Sequence, residues 1–164
     1  MKKFATIVGL FGSFTLCHAQ IDFTANLAGS QEVPSNDSTA TASAVCMLGQ
    51  DFTITGSFQG LQGYVEQVYL DDGAPGVNGT VVLALPVYSS SGHAGTFQLG
   101  SYILTPQQGD ALFDGDLYIN IESLSFPNGE IRGQIELEEV PEPSTLALLA
   151  PGALALLARR RGKV

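Results

Sequence analysis

The chain has 164 residues, 45% of them aliphatic, aromatic or Cys, which is enough for one domain with its own core plus targeting segments. Its net charge of −9 is unevenly placed: Lys2 and Lys3 open the chain, Arg159, Arg160, Arg161 and Lys163 close it, and 20–140 holds fifteen acids against Arg132 alone. A body at −14 repels nucleic acid and anionic lipid headgroups, which excludes both as partners, and it attracts cations.

Residues 1–19 read as a secretory signal peptide. Lys2-Lys3 precedes an apolar run from Phe4 to Leu16, and Cys17-His18-Ala19 puts small residues at −3 and −1, so signal peptidase is expected to cut before Gln20. The run is well short of the roughly 20 residues a membrane span needs. Cleavage leaves Cys46 as the single thiol, which rules out an internal disulfide. Cys46 shares parity with Ala42, Ala44 and Leu48, so a buried, inert thiol is expected.

From 20 to 139 the period is two. Ile21, Phe23, Ala25 and Leu27 alternate with Asp22, Thr24 and Asn26; Phe52, Ile54 and Phe58 alternate with Thr53, Thr55 and Ser57. Val81–Leu85 is apolar throughout, predicting a strand buried on both faces. Phe97 with Leu99, and Leu117 with Ile119 and Ile121, continue the alternation. In the last strand Ile131, Ile135 and Leu137 line one side, with Glu130, Arg132, Gln134 and Glu136 on the other. Turn clusters at 34–38, 60–63, 73–79, 89–95 and 127–129 separate the runs. Thr105-Pro106 offers an N-cap with Pro at the first helical position, predicting one or two turns over Gln107–Phe113 before Gly115. The expected fold is all-β, an antiparallel β-sandwich or barrel.

The tail, 140–164, contains Pro141-Glu142-Pro143, an apolar run over 146–158 and the basic cluster Arg159, Arg160, Arg161. As a helix the run reaches about 20 Å against a hydrocarbon core of about 30 Å, so it inserts transiently as a short transmembrane helix, with Arg159, Arg160 and Arg161 as a cytoplasmic stop. Motif, apolar run and basic end together resemble the PEP-CTERM sorting signal. The resemblance implies recognition by an exosortase and delivery to the cell surface or extracellular matrix of a Gram-negative-type bacterium.

Leu27-Ala28-Gly29-Ser30-Gln31-Glu32-Val33-Pro34, Gly73-Ala74-Pro75-Gly76-Val77-Asn78-Gly79, and Leu117-Tyr118-Ile119-Asn120-Ile121 running on to Pro127-Asn128-Gly129-Glu130-Ile131-Arg132-Gly133-Gln134 resemble, in order, the CHRD domain. This resemblance covers about 22–137 and implies a β-sandwich-like module without established catalytic activity. Family members commonly carry His-x-His before the Gly-Ala-Pro-Gly loop and another His after the Tyr-x-Asn strand. Tyr69, Asp71 and Glu122 stand there, so the imidazole set that suits zinc or copper is missing.

Asp71 and Asp72, with Asn78 and Glu122, are hard oxygen donors that would suit calcium if they met at one end of the fold, although their spacing fits no EF-hand. Apart from calcium no cofactor is expected. Arg132 is expected in a structural ion pair, in a surface ladder with Glu130 and Glu136 or with Glu32 at long range. Catalysis lacks a nucleophile–base–orienter set: His93 lies in the Ser/Gly-rich SSSGHAG and reads as an exposed loop residue, so a non-enzyme is expected. The sequence thus points to an exported structural or interaction module, with exopolysaccharide or surface proteins as partners; the alternative is a small-ligand or divalent-metal (calcium) binding module at Asp71, Asp72 and Glu122. Tyr64, Tyr69 and Tyr88 are either aromatics that stack on sugars or packing residues.

Overall fold

The computed structural model describes residues 20–89 and 91–138. The signal segment 1–19, Pro141, Glu142 and Pro143 of the tail motif, the apolar run and Arg159, Arg160 and Arg161 lie outside the described residues.

Alternating side chains make strands β1 (Ile21–Ala28), β2 (Thr41–Leu48), β3 (Phe52–Gln59) and β4 (Val65–Asp72). They continue with β5 (Thr80–Leu85), β6 (Val87–Ser89), β7 (Gly95–Tyr102), β8 (Leu117–Ser123), β9 (Phe126–Gln134) and β10 (Glu136–Leu137). All pair antiparallel in one sheet of order β5-β4-β8-β9-β1-β2-β3-β7-β6, with β10 continuing β9's side of β1. Of the two all-β forms expected, the chain takes the barrel. The two sheet edges, β5 and β6, are joined through Pro86 alone. The Pro86 carbonyl accepts from the Gln98 amide of β7 at 3.1 Å, which holds this link against the far end of the sheet, so the barrel nearly closes.

The inward positions are those the alternation marks. Phe23, Ala25 and Leu27 of β1 meet Ala42, Ala44 and Cys46 of β2, Phe52, Ile54 and Phe58 of β3, and Ile119, Ile121 and Ile131 of β8 and β9. Small residues on β2 leave room for the Phe rings of its neighbours. Gly56 does the same at one point: a Cβ there would run into the Phe97 ring. Cys46 is fully buried, and desolvation pushes its thiol up to about 12, so it is a packing group as expected.

The β5 expectation fails. Val81 is 59% exposed and only Leu85 is buried, because β5 is an edge strand with a neighbour on one side only. The helix forms where expected, as α1 (Pro106–Asp114). Thr105 and Gln108 make a reciprocal capping box, and Gly115 ends the helix in the left-handed region at φ 76°. Leu112 is buried, and Phe113 meets Phe23 edge-to-face at 5.6 Å.

Candidate functional site

The outer face of β4, β8 and β9 carries Tyr69, Asp71, Tyr118, Asn120 and Arg132 in register. Tyr69 pairs with Asn120, Asp71 with Tyr118, and Asn120 with Arg132. This face is not left to solvent. The 73–79 loop folds over it from one side and Gln31–Pro34 from the other, tied together where Asn78 Nδ2 donates to the Val33 carbonyl at 2.8 Å. A cleft of about 270 Å³ opens between the two segments, with Glu32, Arg132 and Gln134 among its walls.

Arg132 is 2% exposed at the centre of the cluster. Its Nη1 donates to the Val77 carbonyl at 2.8 Å, and its Nη2 to the Ala74 carbonyl at 3.1 Å and to Gln134 Oε1 at 2.9 Å. The guanidinium carbon sits 3.5 Å above the Tyr118 ring centroid. The expected surface ladder is therefore corrected. β9 is buried on both faces, because a loop more than fifty residues earlier in the chain covers the side that alternation assigns to solvent. Of the expected partners, Glu32 feels Arg132 through space, but the hydrogen bonds of the guanidinium go to carbonyls and Gln134.

Glu130 lies elsewhere. Fully buried, it accepts from Ser38 Oγ at 2.8 Å, the Gln62 amide at 2.6 Å, the Gly63 amide at 3.5 Å and Ser123 Oγ. It fastens the lead-in to β2 and the 60–63 loop onto the β8–β9 turn. Glu136 is exposed on β10.

Three acceptor oxygens in the outer cluster are buried without a partner among the described residues: Glu32 Oε1, Asp71 Oδ1 and Asn120 Oδ1. Gly129, at φ 126°, is what lets two of these groups approach. A Cβ there would sit 2.6 Å from Glu32 Oε2 and 2.7 Å from Asn120 Oδ1. Desolvation raises Glu32 from 4.5 to about 7, against the pull of Arg132 and with Asp71 and Glu122 adding repulsion. Desolvation also raises Asp71, opposed by the Tyr118 hydroxyl and Arg132, and raises Glu122, where Asp71 and Glu66 reinforce it. Each of the three thus keeps its proton to a higher pH than an ordinary carboxyl.

The metal-ligand expectation is corrected in part. Asp71 and Glu122 share the outer face, but neighbouring Asp72 pairs with Leu117 and takes the other parity, while the Asn78 amide is committed to Val33. Among the described residues no group of three or more His, Cys, Asp or Glu is placed to hold a metal ion. A guanidinium in the same cluster opposes a divalent cation. His93 is half-buried rather than exposed: its Nδ1 lies 2.7 Å from the Leu61 carbonyl and its ring 4.8 Å from that of Tyr64. Gly92 makes this possible by letting the loop settle onto Tyr64.

Sequence reasoning did not bring Tyr118 and Asn120 into the site, although their shared parity with Glu122 in YINIES marks them as one row. No curated protein and no solved structure matches the chain. The family model of the PEP-CTERM protein-sorting motif matches residues 139–161, which implies an exported, exosortase-processed surface protein of Gram-negative-type bacteria. The model of the CHRD domain matches 23–135, the barrel from the first inward Phe of β1 to Ile135 and all of its strands but β10, and with that span the chain belongs to the CHRD domain family.

Proposed function

We propose that the protein is a component of the cell surface or extracellular matrix whose barrel is a non-catalytic structural and interaction module. The observation that carries this reading is adjacency: the domain ends at 135 and the sorting motif begins at 139, so the barrel is what the sorting machinery delivers. The disposition of reactive groups supports it. Glu130 and Arg132 are surrounded by structural partners, Cys46 is buried with its thiol pushed up to about 12, and His93 is docked on Leu61 and Tyr64. Exosortase and signal peptidase act on it during export, with transient membrane insertion of the tail. Fractionation of the producing bacterium tests the reading. The barrel should appear in the surface or matrix fraction of the parent and stay with the membrane, at precursor size, in a strain without exosortase. The same distribution in both strains would overturn it.

A bound calcium ion is the second reading, favoured by the unpartnered oxygens of Glu32 and Asp71 and opposed by Arg132. A calcium-dependent rise in the melting midpoint, absent in EDTA, would establish it; the guanidinium predicts no rise.

A further inference from the structure

Four neighbouring strands of the barrel carry no charge: Asp51, in the turn between β2 and β3, accepts from Ser101 Oγ at 2.6 Å at one end of their face, and the strands themselves are neutral. β2, β3, β6 and β7 contain not one Asp, Glu, Lys, Arg or His, within a body that carries fifteen acids. The strand register lines up what they do carry. Asn26 pairs with Ser43, Ser43 with Ser57, Ser57 with Thr96, and Thr96 with Tyr88, giving one row across five strands. All five side chains are exposed. At roughly 4.8 Å between strands the row is about 19 Å long. A second row, Thr24, Val45, Thr55 and Gln98, runs beside it. Where the 91–95 loop rises beside the first row, it walls a cleft of about 630 Å³ floored by Asn26, Ser43, Ser57 and Thr96.

We propose that this face binds a neutral polysaccharide chain laid along the Asn26–Ser43–Ser57–Thr96–Tyr88 row. Hydroxyls and amides both donate and accept, as sugar hydroxyls do, and a neutral polymer gives up no ionic hydration on docking. Tyr88, 57% exposed at the end of the row, offers an apolar ring face with a polar tip on which a sugar ring can stack. The acids elsewhere exclude polyanionic chains by long-range repulsion, and Glu136 beside Thr24 marks one border of the neutral strip. The site lies on other strands than the Arg132 cluster, and it rests on the reading of the barrel as an interaction module.

The test uses protein released from the producing bacterium, run through gels containing dextran, a soluble neutral β-glucan, or alginate as the polyanionic control. Retardation is expected in a neutral gel and not in alginate. Ser57→Glu and Tyr88→Ala should each weaken it about tenfold, while Val81→Glu, an equally exposed position on β5, should leave it intact. Melting midpoints matching the parent's would show that the variants fold. Retardation by neither neutral polymer, equal retardation in alginate, or retention undiminished in both face variants would overturn the proposal. So would a parent that is a dimer split by Ser57→Glu, which would assign the face to a second copy of the chain. Surface localisation is read separately by fractionation, so a protein that reaches the surface without binding glycan sinks this inference alone.

Discussion

Arg132 shows how far one residue's role depends on a segment distant in sequence. GEIRGQ alternates, and alternation assigns Arg132 to solvent with Glu130 and Glu136. What the pattern does not contain is the 73–79 loop, whose Ala74 and Val77 carbonyls convert a surface cation into the anchor of a cap. Lys in its place supplies charge without the planar fork, so Arg132→Lys should cost roughly 2–3 kcal/mol in urea unfolding and release amide-exchange protection in 73–79 first. Glu130→Gln leaves buried amide and hydroxyl donors facing a poorer acceptor and should cost on the order of 3 kcal/mol by the same measurement. Glu32 gives a pH signature. Its folded value of about 7 lies above an ordinary 4.5, so the native state holds this proton more tightly than the unfolded chain. Its contribution to stability is full below about 4.5 and is lost as pH rises through about 7. Glu32→Gln should flatten that part of the stability profile. Nothing in the Glu-Val-Pro segment announces this, since the desolvation comes from Gly129 and Asn120 arriving from β9 and β8.

At the scale of elements, the parts built from local chemistry were the legible ones. Thr105-Pro106 and Gly115 bound the helix because capping is a property of four or five consecutive residues, and Thr105→Ala should lower the melting stability by about 1 kcal/mol. Inward parity on β1, β2, β3 and β8 was likewise written into the sequence, down to the buried Cys46. β5 was not. Five apolar residues in a row say that a strand is hydrophobic, yet not whether a second neighbour exists to cover it, and Pro86 ends the sheet beside it. The same limit hid the divergence of Asp71 and Asp72, which adjacency in sequence places together and strand parity separates.

Across the whole molecule, the barrel divides into an acid-bearing half, capped by two loops, and a half whose strands carry no charged side chain and whose outer face is open. The pairing of β1 with both β9 and β10 joins the first strand to the last. That connection has a kinetic consequence. β1 lacks its second neighbour until the chain has been delivered as far as about residue 137, so the barrel cannot finish folding while its final strands are still in transit. A chain threaded across a membrane from its N-terminus therefore stays pliable through almost the entire passage. Its last strand emerges only two residues ahead of the segment matched by the sorting motif, so completion of the fold and presentation of the tail for cutting fall at nearly the same moment.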